Sequence, residues 1–281
     1  MPTRENKRFD KRIVSFPRMG NVHIPVCSVL GGMGAEIILP PANNKETLSL
    51  GTRYSPETMC LPYKMNLGNY IQAIEKGANT LLMFGAPGSC RLGTYAIQAE
   101  AKLKELGYDF EMVVFDLYKG GVVELIEKFS RATDSKNILG GIRGLKLGLS
   151  KFAALDEVEK GLLYWRPREK DAGNAERIYL KGVRLIDKAA SHDEVRNAVS
   201  QTLDEYRGIP VNKNREILKI FLTGEFYVLL EPFANMGIEK MLGNLGVEVQ
   251  RQIMLSEWVS QAITPKWLRT WKTRKEKSKK Y

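Results

Sequence analysis

A composition of 43% hydrophobic and 27% charged residues over 281 positions allows one large buried core or two ordinary ones. No apolar run approaches the roughly 20 residues that cross a bilayer, and three widely spaced cysteines, Cys27, Cys60 and Cys90, cannot build a disulfide framework. The formal net charge of +11 sits at the two ends, six Lys/Arg against two acids in residues 1–18 and eight against one in residues 266–281, so the neutral body argues against a basic nucleic-acid groove.

In chain order, the opening MPTRENKRFDKR is charged and lacks the apolar core of a secretory signal, so the expected location is the cytoplasm. RIVSF (12–16) reads as a first strand. A helical pattern, a glycine and a short β-branched run then recur: VLGGMGAEIIL (29–39), AIEKGANTLLMF (73–84), LKELGYDFEMVVF (103–115) and MLGNLGVEVQRQI (241–253). Each glycine can close its helix in the left-handed conformation before the chain enters a buried strand. The pattern predicts strands near 12–16, 35–39, 79–84 and 111–115 with helices between them. That is an α/β fold with a doubly wound, Rossmann-like parallel sheet.

From about 120 to 208 strand signals vanish and long helical patterns follow one another. A β signal resumes at EILKIFLTG (216–224), followed by a helical stretch and the strand VEVQRQI (247–253). The expected division is an N-terminal Rossmann-like domain over 1–120, a helical middle over 121–212, a small C-terminal α/β unit over 213–265 and a basic tail over 266–281. Gly120–Gly121 and Gly140–Gly141 read as turns or hinge points. Trp267 and Trp271 stand among the cations of the tail, which suits a solvated end or a docking arm better than a nucleic-acid or lipid surface.

GGMGAE (31–36) echoes a dinucleotide fingerprint, but it closes a helix and precedes a strand, the reverse of what that fingerprint needs. The loop FGAPGSCRLG (84–93) is better placed. Its Gly85, Gly88 and Gly93 follow a strand and precede the helix TYAIQAEAKLKEL, at the strand ends where open α/β sheets bind ligands. It lacks the Gly-Lys-Ser/Thr of a P-loop, and no metalloprotease helix, nucleophile elbow or paired CxxC occurs elsewhere. His192 reads as a surface residue of a helix and His23 as a turn residue after the first strand.

The cysteines carry more. Cys27, Cys60 and Cys90 follow the first, second and third strands, each near a helix N-terminus whose free N–H groups favour a thiolate. Their spacing matches one βα unit apiece, so neighbouring crossovers can gather the sulfurs at one sheet edge. Three converging thiolates suit an iron–sulfur cluster with one open iron, or a zinc site with an open position. Buried cysteines packing as small hydrophobes are the plain alternative.

At these residues a family pattern enters. RYSPETMCLPYKMNLGNYIQAIEKGANTLLMFGAPGSCRLGTYAIQAEAKLKELGYDFEMV (53–113) resembles the activase-related branch of the 2-hydroxyacyl-CoA dehydratase family. EFYVLLEPFANMGIEKMLGNLGVEVQRQIMLSEWV (225–259) is similar to that branch's C-terminal segment, and VSFPRMGNVHIP (14–25) to its beginning. The resemblance implies Rossmann-like lobes whose strand-end cysteines hold a [4Fe–4S] cluster, fed by a separate ATP-hydrolysing activator protein. Cys60 and Cys90 are similar to the first two cluster cysteines of the dehydratases. The family's third cysteine, in the C-terminal half, has no counterpart after Cys90; the region reads QIMLSEWV, and Cys27 is the remaining thiol that could complete a ligand set. The activator's own phosphate loop is absent, so the resemblance does not make this chain the ATPase.

The expectation is an iron–sulfur subunit of an ATP-dependent, low-potential electron-transfer system, part of a dehydratase or reductase, paired with the activator and with itself or a related subunit. Cys60, Cys90 and Cys27 would be the metal ligands. Arg91 would balance the cluster's charge or orient a substrate, and Glu57 and Tyr63 would supply a proton. Two readings of other classes stand beside it: a cluster-free scaffold that holds a partner subunit, and a metal-free enzyme that binds CoA or a nucleotide through the 85–93 loop.

Overall fold

Glycines mark where the helices of this chain stop. Gly34, Gly77, Gly107 and Gly246 all have positive φ, between 76° and 102°, and each lies between a helix and the strand that follows it, as the recurring pattern requires. The structure is a computed structural model, which describes residues 9–85, 91–116, 121–256 and 259.

The first half alternates strands and helices: β1 (Ile13–Ser15), α1 (His23–Gly32), β2 (Glu36–Ile37), α2 (Lys45–Tyr54), α3 (Leu61–Ile74), β3 (Thr80–Gly85), a 3-10 turn (Arg91–Thr94), α4 (Tyr95–Glu105) and β4 (Glu111–Asp116). All four strands fall where the sequence places them. They form one parallel sheet in the order β2-β1-β3-β4, with Val14 opposite both Ile37 and Thr80, and Leu81 opposite Met112. The second half runs α5 (Gly121–Thr133), α6 (Ile138–Trp165), α7 (Asn174–Lys188), α8 (His192–Arg207), β5 (Leu218–Leu222), α9 (Phe226–Leu230), α10 (Ile238–Asn244) and β6 (Val247–Arg251). β5 and β6 pair in parallel as a separate two-stranded sheet. The fold is mixed α/β with a parallel sheet.

Contacts divide the described chain into two units: residues 9–17, 30–142 and 259 in one, 18–29 and 143–256 in the other. This differs from a division at 120 and 212. Residues 143–212 of the helical middle share one unit with the β5–β6 region, residues 121–142 fall in the other, and the dividing point at 142/143 lies inside the continuous helix α6. Gly140–Gly141 is not a turn. It sits within α6, where a Cβ on Gly140 would meet the Gly32 carbonyl oxygen at 2.1 Å, so the glycine permits close packing. Gly121 opens α5, and Gly120 lies outside the described residues.

In the first unit, Leu81 and Met83 of β3 pack with Tyr63, Leu67, Tyr70 and Ile71 of α3 and with Tyr95, Ala96, Ala99 and Leu103 of α4. Phe84, on the other face of β3, stacks on Phe115 of β4 at 5.0 Å, and Phe115 meets Phe129 of α5 at 4.5 Å. The Tyr70 hydroxyl donates to the Leu82 carbonyl at 2.9 Å, which fixes α3 along β3. Helices α2 and α3 touch backbone to backbone: a Cβ on Gly51 would meet the Lys64 carbonyl oxygen at 1.6 Å, and one on Gly68 the Thr47 carbonyl oxygen at 2.0 Å. That approach fixes where α3 begins.

In the second unit, Ala154, Leu155 and Val158 of α6 pack on Ile24 of α1, Ile186 of α7, and Val195 and Ala198 of α8. Ser191 caps α8 by accepting the Glu194 N–H, while the Glu194 carboxylate takes the Ala190 N–H at 2.9 Å. Arg251 of β6 is the polar anchor of this unit. Its buried guanidinium is held by Glu159 of α6, at 2.7 Å from Nη1, and by Glu239 of α10.

Candidate functional site at the head of helix three

A helix that runs back toward the start of the next parallel strand leaves its own N-terminus at the carboxyl edge of the sheet. Cys60 occupies that end of α3. It is the N-cap, in extended conformation, and its carbonyl accepts the Tyr63 N–H at 3.1 Å. Pro62 follows in the first turn, where its missing N–H costs no helical bond. The thiol makes no capping bond to the backbone. Cys60 Sγ instead shares a hydrogen bond with the hydroxyl of Tyr95, the first residue of α4, and either group can donate it.

Two aromatic rings floor the site. Tyr95 stands edge-on to Tyr63 with ring centres 5.4 Å apart, and both are almost fully buried. Burial pushes the Tyr63 phenol up from its ordinary value, so it keeps its proton at neutral pH. Arg91, at the start of the 3-10 turn, donates from Nη1 to the Thr58 carbonyl at 3.4 Å. Thus the residue immediately after Cys90 lies against the residue two before Cys60. Glu57 is exposed, and its carbonyl accepts from Lys64 Nζ at 3.4 Å. Gly85 ends β3 and Gly93 lies in the 3-10 turn, while Cys90 and Gly88 lie outside the described residues.

Cys27 is placed differently. The sequence puts it just past a loop, but α1 already begins at His23, and Cys27 lies one turn inside it. Pro25 does not delay that start because it falls in the first turn, where no intrahelical N–H bond is due. Cys27 belongs to the second unit, and its thiol is pushed up to about 11, first by burial and then by the Asp187 carboxylate; Arg18 and Lys151 pull it back in part. His23, taken from the sequence as a turn residue, opens α1 with Nδ1 3.3 Å from the Gly20 carbonyl. Burial, and then the Arg18 cation, lower its ring to about 4. Lys151, also lowered by burial, donates to the Asp187 carbonyl at 2.7 Å.

Among the described residues, no group of three or more His, Cys, Asp or Glu side chains is arranged to hold a metal ion. The donor chemistry at Cys60 nevertheless suits an iron-bound sulfur: a thiol at the positive pole of a helix, with a phenol hydroxyl already at hydrogen-bond contact. Cys27, half-buried and one turn inside α1, lacks such a setting. Sequence reasoning missed Tyr95. Its signal was a tyrosine opening the helix after the Cys90 loop, as Tyr63 lies in the first turn of the helix after Cys60.

No protein-family model matches the chain, and no curated protein matches it. No helix of the described residues is long and apolar enough to cross a membrane.

Proposed function

We propose that this chain is an iron–sulfur subunit of an ATP-dependent, low-potential electron-transfer system related to the 2-hydroxyacyl-CoA dehydratases, with electrons supplied by a separate activator ATPase in the cytoplasm. The observation that carries the reading is the pairing at one sheet edge: Cys60 heads α3, and Arg91, next to Cys90, lies against Thr58. In this reading the sheet is the core of a doubly wound, Rossmann-like lobe. Its order reverses between β1 and β3, which is where such sheets open their ligand crevice.

Cys60 and Cys90 would hold a [4Fe–4S] cluster, soft thiolates matched to iron, which supplies a low-potential electron when bound. The other residues of the edge each have a task. The Tyr95 hydroxyl donates to the Cys60 sulfur, which withdraws charge from it and fixes its rotamer. Arg91 offsets negative charge at the mouth of the site, and Gly85, Gly88 and Gly93 let backbone approach without side chains. Glu57, exposed at the rim, exchanges protons with solvent and substrate, whereas the buried Tyr63 keeps its proton and positions Tyr95. Cys27 is left out of the ligand set, and a second copy or a related subunit completes it.

The test is anaerobic reconstitution with iron and sulfide. The wild-type chain should gain visible thiolate-to-iron absorption, and Cys60→Ala and Cys90→Ala should each lose it. A wild-type chain that stays colourless and iron-free sinks the reading; if it also purifies with a stoichiometric partner, the scaffold reading takes its place.

A further inference from the structure

A groove of about 580 Å³ runs along α7 in the second unit, with α10 as its other wall. Its two carboxylates are already engaged. Glu169 accepts the Gly173 and Ala175 N–H groups, each at 2.7 Å, and so caps the start of α7. Glu176 holds the buried guanidinium of Arg166 and the Lys240 ammonium, the latter at 3.2 Å.

Two further cations in the lining, Arg177 and Arg184, are exposed, and their side chains are held by no hydrogen bond or ion pair among the described residues; Glu205, which Lys181 engages outside the groove, acts on Arg177 only through space. They lie seven residues apart on α7, two turns or about 10 Å along the axis. Leu180 sits between them, one turn from each, and is 47% exposed. The groove therefore presents cation, apolar side chain and cation at one-turn intervals, over a wall whose acids are neutralised within the fold.

We infer that this groove docks an amphipathic acidic helix of a partner protein, one with carboxylates two turns apart and an apolar side chain midway. Charge complementarity selects the occupant. A compact phosphate engages one arginine at a time and gains nothing from Leu180, whereas an acidic helix laid along α7 meets both arginines and covers the leucine. The inference is independent of the reading of Cys60.

The experiment titrates a fluorescent, end-capped helical peptide, with two glutamates two turns apart and a leucine midway, into the full chain by anisotropy. Binding should saturate below about 1 mM and weaken about tenfold or more when Arg177→Glu and Arg184→Glu are combined. A peptide with lysines in place of the glutamates should recover binding to that double variant, and Leu180→Asp should weaken the original peptide. Both arginines are exposed, so unchanged melting of the variants separates lost docking from lost folding. Arg196→Glu, on α8 outside the groove, should bind as the wild type does. Unsaturable binding, indifference to the double reversal, or no recovery with the lysine peptide overturns the inference. So does tripolyphosphate binding that is lost in the double variant while the peptide does not bind, which makes the groove a small-anion site.

Discussion

Two cysteines near the starts of two helices are treated in opposite ways. Cys60 caps α3 at the carboxyl edge of a parallel sheet, with its sulfur turned to the Tyr95 hydroxyl and an arginine anchored two residues away. Cys27 lies one turn inside α1, where burial and Asp187 hold its thiol protonated. Their sequence contexts look alike, a short strand and then a helical pattern. A helix start alone therefore does not fix the surroundings of a thiol; the cap position and the polar groups of the next crossover do.

The largest effect that would sharpen this contrast is chemical. Alkylation followed by peptide mapping should find Cys27 about a hundredfold slower in the folded chain than in denaturant at pH 8, because its thiol rises from the ordinary 9.0 to about 11. Equal rates in the two states would dissolve the distinction. Next comes the packing that sets the head of α3. Gly51→Ala places a methyl group on the Lys64 carbonyl and should cost about 3 kcal/mol or more by denaturant melts; a neutral outcome would mean that Cys60 is not fixed as described.

The surroundings of Cys27 predict a smaller, pH-dependent effect. His23 falls from 6.5 to about 4 in the folded chain, with Arg18 and Asp187 as the charges acting on it. Between those values the unfolded chain binds a proton that the folded chain refuses, so stability should rise with pH from about 4 to 6.5. Substituting His23→Asn should flatten that slope, and a slope unchanged in the variant would assign it to other groups. The smallest effect belongs to the Cys60 edge: Tyr95→Phe removes the hydroxyl that meets the Cys60 sulfur and should cost about 1 kcal/mol. No loss at all would mean that the sulfur is not held by the phenol.

What the sequence revealed was local. A glycine that ends a helix and a β-branched run after it act over a few residues, so β1–β4 and the β5–β6 pair were legible. The short helices α2 and α9 were not singled out, although Asn44 and Glu225 cap them locally, each accepting the N–H three residues on. The head of α3 was readable from Cys60 and Pro62, but its hydrogen bond to Tyr95 spans 35 residues and leaves no local mark. The grouping into units also rests on residues distant in the chain. Helix α6 is continuous across 142/143, and only long-range packing, of Ile24 on Ala154 and Leu155 among others, assigns its two parts. Pro25 misled the placement of Cys27 because a proline after a strand reads as a break, although the first turn of a helix accepts it.

The most direct test is a count of iron and acid-labile sulfide per chain after anaerobic reconstitution, made on the wild type, Cys60→Ala and Cys27→Ala side by side. The account predicts that wild type and Cys27→Ala hold iron and sulfide equally and that Cys60→Ala loses both. Loss in Cys27→Ala as deep as in Cys60→Ala, or no iron in any of the three, would contradict it.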